Sequence, residues 1–77
     1  MTITDVFEAL RARGLARSLR HFSQEFLSRE PNYACDTGLA RCSAGAIRNL
    51  YRRLGELRQA DLQAKAFERL LAVDAQS

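Results

Sequence analysis

The residues best suited to metal or redox chemistry in this 77-residue sequence are Cys35, Cys42 and its single histidine, His21. A structural zinc site needs four ligands, and a C-x6-C pair with one distant histidine falls one short. Secreted disulfide scaffolds of this size usually carry four or more cysteines. Two reduced, semi-buried thiols with no metal and no cofactor are therefore expected. A Cys35–His21 nucleophile pair can be drawn, but nothing else in the chain supports it. There is no glycine loop to cradle phosphate and no pair of carboxylates at convergent spacing. The sequence points away from an enzyme.

The other chemistry-bearing set is cationic. Of twelve basic residues, eleven are arginine and only Lys65 is lysine. From Arg11 to Arg58, ten arginines stand against Glu25, Glu30, Asp36 and Glu56, whereas both ends are mildly acidic. Since the net charge is only +3, the positive charge is concentrated in the middle. A basic middle is the electrostatic footprint expected for an anionic partner, nucleic acid first. It is equally what a solvated, arginine-rich surface looks like.

These residues must be positioned by a small scaffold. The length suits one domain covering 1–77, with a core too small for a large single-chain enzyme. With four glycines, one proline and no tryptophan, turn punctuation is sparse, so helix is expected over strand. No apolar run reaches the length of a membrane span, and the start of the chain does not read as a signal peptide, so a cytoplasmic location is expected.

Periodicity then divides the chain. Ile3, Val6, Phe7 and Leu10 recur at helical spacing, with Thr2 or Thr4 as cap and Gly14 as stop, predicting a first helix over about 4–13. Leu15, Leu19, Phe22 and Phe26 step by four, three and four, predicting a second over about 15–28. Arg13, Arg17 and Arg20 fall on the opposite side of that wheel as a basic ridge. Pro31 opens a short third helix at Pro31 or Asn32 that fails by Gly38. Ser43 caps a fourth, with Ile47, Leu50, Tyr51, Leu54 and Leu57 on its apolar stripe. A phase break between Gly55 and Gln59 separates a fifth helix, about 61–73, whose apolar arc includes Leu62, Ala66, Phe67, Leu70, Leu71 and Val73. The chain should fray from Val73 to Ser77. The expected fold is an all-α orthogonal bundle of four to five short helices.

The stretch from Ser18 to Leu57 resembles the helix-turn-helix of the Cro and phage-repressor family. Leu27-Ser28 stands at the family's Leu-Gly pair, Arg29-Glu30-Pro31 at the turn, and Asn32-Tyr33 at the start of the recognition helix. Ser43-Ala44-Gly45-Ala46-Ile47-Arg48-Asn49-Leu50 matches the Ser-capped helix that follows. The run Phe22-Ser23-x-x-Phe26-Leu27-x-Arg29-x-Pro31-x-Tyr33 is also similar to small alphaproteobacterial proteins of that fold. The likeness covers about forty residues, 18–57.

The resemblance implies DNA binding in transcription regulation. Asn32 would read a base, its amide being suited to adenine, while Arg29 and Tyr33 contact phosphate or base edges. Arg41 and Arg48 would clamp phosphates, with Arg13, Arg17 and Arg20 as a secondary ridge. Duplex DNA is the expected partner and a homodimer the expected state, with helix 61–73 as the candidate dimerisation element. The competing reading is a protein–protein interaction or homo-oligomerisation module that does not bind DNA. Its sequence support is that same helix, whose apolar arc is wider than one packed face needs.

Overall fold

The computed structural model describes residues 3–76, and among them there are helices and turns but no strand. The order is α1 (Ile3–Ala12), α2 (Leu19–Glu25), α3 (Tyr33–Thr37), a 3-10 turn (Leu39–Arg41), α4 (Ala44–Glu56) and α5 (Ala60–Gln76). This is a small all-α bundle. No helix among the described residues is long and apolar enough to cross a membrane.

The core follows from the expected stripes. Ile3, Val6, Phe7 and Leu10 of α1 meet Phe22 of α2, and Ile47, Leu50 and Leu54 of α4 join Leu62 and Ala66 of α5 in one buried cluster. Phe22 is the aromatic hub. Its ring lies edge-on to Phe7 at 5.2 Å and stacks on Phe26 at 5.5 Å.

The helix ends show how local chemistry sets the boundaries. Gly14 takes φ +73° after α1, with its N–H bonded to the Arg11 carbonyl and that of Leu15 to the Leu10 carbonyl. That pair of bonds is a Schellman stop, and glycine suits its left-handed position. Thr4 lies inside α1 instead of capping it, and Thr2 lies outside the described residues. At α2, Ser18 is the cap: its hydroxyl accepts the His21 N–H at 3.2 Å. The second helix is thus 19–25, shorter than the expected 15–28. Leu15 and Ala16 pack against the core from a loop, so an apolar pattern that continued the helical period was produced by two different backbones.

The connection to α3 also differs from expectation. Seven residues, 26–32, separate α2 from α3, where a three-residue turn was expected. Within it Phe26 and Leu27 are buried and Ser28 adopts φ +53°. α3 starts at Tyr33, with Asn32 at the cap position, and ends at Gly38 as expected. Ser43 caps α4 by accepting the Ala46 N–H at 3.2 Å.

α4 ends at Glu56, inside the region of the phase break, through a second Schellman arrangement. Arg58 bonds to the Gly55 carbonyl and Gln59 to that of Leu54, with Arg58 at φ +58°. α5 then continues to Gln76, past the expected fraying point at Val73, and Ser77 lies outside the described residues.

Ser28 and Arg58 are the two non-glycine residues with positive φ among those described. A side chain there is strained by roughly 1–2 kcal/mol, partly offset when glycine, which loses more chain entropy on folding, replaces it. Arg58→Gly is therefore expected to stabilise the protein by about 0.5–1 kcal/mol, raising Tm by several degrees. A thermal melt showing a lower Tm for the variant would contradict this account of the α4 stop.

Candidate nucleic-acid interface

The start of α4 gathers residues from three elements. The Arg29 guanidinium, from the α2–α3 connection, stands 5.9 Å from the centre of the Tyr33 ring. The Tyr33 hydroxyl accepts the backbone N–H of Ser43 at 3.1 Å, which fixes the first residue of α3 against the α4 cap. Arg29 also lies against the first turn of α4: a Cβ added to Gly45 would stand 2.9 Å from Arg29 Nη2. Glycine at 45 leaves the guanidinium its place.

Arg41 ends the 3-10 turn two residues before that cap, and Arg48 lies one turn further along α4 than Ala44 and Gly45; both are exposed. The positive end of the α4 dipole adds to this surface. Asn32 is exposed at the start of α3, and its side chain makes no capping bond. Arg29 and Tyr33 thus stand against the first turn of α4, Arg41 and Arg48 are exposed just before and just after it along the chain, and Asn32 precedes Tyr33.

Two side chains that the sequence did not single out hold this surface in place. Ser23 is fully buried, and its hydroxyl donates to the Leu19 carbonyl at 2.8 Å while accepting the Ala34 N–H at 3.1 Å. This small residue lets α2 and α3 approach closely and satisfies a buried amide at the start of α3. Asn49 Nδ2 donates to the Leu27 carbonyl at 2.9 Å, tying the α2–α3 connection to α4. Ser23 figured in the sequence only within the run from Phe22 to Tyr33, and nothing in the sequence marked Asn49.

The secondary basic ridge does not form. Arg13, Arg17 and Arg20 were placed on one face of a helix that, in the structure, begins only at Leu19. Arg13 follows α1, where it donates to Gln59 and pairs with Asp61 at 2.7 Å. The Arg13 hydrogen bond is the main reason the Asp61 carboxyl is held down at about 2. Both partners are well exposed, so the pair orients the start of α5 more than it stabilises the fold. Arg17 lines a cleft with His21, Glu25 and Arg53, and its backbone N–H donates to His21 Nδ1 at 3.2 Å. Only Arg20 lies on α2 as expected, exposed to solvent.

The thiols differ from each other. Both are free, with Cys35 exposed on α3 and Cys42 buried beneath the α4 cap. Burial pushes the Cys42 thiol up, and the charge of Arg69 pulls weakly the other way. Since the thiolate is the reactive form, a thiol reagent at neutral pH is expected to modify Cys35 first and Cys42 only on unfolding. Equal rates at the two positions, read by peptide mass mapping, would contradict this. Among the described residues, no group of three or more His, Cys, Asp or Glu side chains is placed to hold a metal ion.

A comparison of the chain with protein-family models, curated proteins and solved structures finds no match in any of the three.

Proposed function

We propose that this chain binds duplex DNA through the arginine-bearing surface at the start of α4, as a homodimer, in a cytoplasmic role in transcription regulation and without catalysis of its own. The observation that carries the reading is the placement of Arg29 and Tyr33 against the first turn of α4, a start flanked along the chain by the exposed Arg41 and Arg48. Guanidinium groups and a helix N-terminus are the usual partners of backbone phosphate, and Asn32 at the rim is of the type that reads adenine. The left-handed Ser28, at the position where the helix-turn-helix family has glycine, supports the likeness to that motif. The test is fluorescence anisotropy with mixed-sequence duplexes at about 50 mM salt. Binding that weakens steeply as salt rises is expected; no binding at tens of micromolar protein would overturn the proposal.

A second reading, a helical interaction module without DNA binding, is favoured by a different observation. Among the described residues, Tyr51, Phe67 and Leu71 are the large apolar side chains left exposed, and they share the outer face of α4 and α5.

A further inference from the structure

That outer face has an internal order. α4 and α5 run antiparallel, as shown by the Gln63 side chain against Gly55, the Gln63 Nε2 bond to the Tyr51 carbonyl at 3.2 Å, and the Tyr51–Phe67 ring pair at 5.9 Å. Ala60, Ala64, Phe67 and Leu71 recur at spacings of four, three and four along the exposed side of α5, so they form a stripe distinct from the buried Leu62 and Ala66. Tyr51 continues the stripe onto α4. Phe67 and Leu71 are 46% and 53% exposed, an unusual state for two large apolar residues one turn apart.

At one level the two borders of the stripe differ in charge. Gln63 marks the side facing α4, and Glu68, exposed, lies on the other side, three and four residues from Leu71 and Ala64. Across Tyr51, the far border on α4 bears the exposed Arg48 and Arg52. The antiparallel register of Gly55 with Gln63 and Tyr51 with Phe67 puts Glu68 at the level of Leu50. Glu68 is therefore only about 3 Å along the axis from the level of Arg52, at 1.5 Å per residue.

We propose that a second copy of this chain covers the Tyr51–Phe67–Leu71 stripe about a twofold axis parallel to α4 and α5. Such an axis preserves height and exchanges the borders, so Glu68 of each copy faces the partner's Arg52. A twofold axis across the helices would instead set like borders together, and like-charge juxtaposition opposes association. The alanines at 60 and 64 let the two α5 helices approach closely. The parallel axis also brings both α4 starts to the same end of the dimer, where one duplex can lie across them, a consequence that rests on the DNA reading above.

The experiment is sedimentation of the purified full chain without DNA. A concentration-dependent doubling of mass is expected, and Phe67→Asp and, independently, Leu71→Glu should each give monomer with helical content and a cooperative thermal transition retained. Glu68→Arg should weaken association about tenfold, and adding Arg52→Glu should restore it. A wild-type chain still monomeric at about 100 μM overturns the proposal, as does a dimer indifferent to both stripe variants. A double charge reversal that fails to restore association overturns the parallel axis. A monomer that binds DNA rejects this interface and leaves the DNA reading standing; a dimer that ignores DNA does the reverse.

Discussion

Phe22→Ala is expected to leave the protein without a cooperative thermal transition, or with a Tm lowered by well over ten degrees. The ring is fully buried and touches both Phe7 and Phe26, so its removal opens a cavity among aromatic side chains from two helices and the connection that follows. Truncating a buried phenylalanine costs roughly 3–5 kcal/mol, from lost burial plus the cavity that neighbours cannot refill. A chain of 77 residues has only about 4–12 kcal/mol of stability in total. One substitution therefore consumes a large part of it. Phe67→Ala is the matched control, because that ring is 46% exposed and its loss should change monomer stability far less. A melting temperature for Phe22→Ala within a few degrees of wild type would mean that the aromatic hub does not hold the bundle together.

The second large effect is on DNA binding. If Arg29, Arg41, Arg48 and the α4 start together neutralise about four phosphates, log K should fall with log salt at a slope near −3.6. Raising salt from about 50 to 200 mM would then weaken binding about 150-fold. Arg41→Ala should weaken all sequences alike and reduce the slope by about one unit, because its exposed guanidinium positions the protein without reading a base. Asn32→Ala should leave the slope unchanged and reduce discrimination at one base pair by about 1–3 kcal/mol. An Arg41→Ala slope equal to wild type would remove Arg41 from the interface. Loss of slope in Asn32→Ala would assign that residue to the backbone instead.

The fold was legible where a single residue type decides the backbone. Gly14 and Ser43 mark helix ends because one supplies a left-handed conformation and the other a side-chain acceptor, and the structure uses both in those roles. The α4 stripe was legible in part: Ile47, Leu50 and Leu54 are buried, whereas Tyr51 is exposed and Leu57 half-buried. Periodicity failed at α2: Leu15 belongs to a loop that reaches the core, and the spacing to Leu19 is the same whether or not the chain between them is helical. The basic ridge fell with that boundary. In the candidate site, residue types could be read but not their convergence, since the contacts of Arg29 with Tyr33 and Gly45 and of Tyr33 with Ser43 depend on how α3 docks. Nor does an apolar arc on α5 tell which half faces inward. Only packing separates Leu62 and Ala66 from Phe67 and Leu71.

The buried hydroxyl of Ser23 sets a hierarchy within the bundle. α3 has five residues and one fully buried side chain, Ala34, whose amide is tied to that hydroxyl. Little apolar area resists its release, whereas α1, α2 and α4 share the aromatic and aliphatic core. The segment carrying Asn32 and Tyr33 is therefore expected to open before the rest, below the free energy of global unfolding, which amide hydrogen exchange would show. On the proposed DNA-binding reading, cohesion and recognition fall in different parts of the chain, so substitutions could retune the edge while the centre keeps the protein folded.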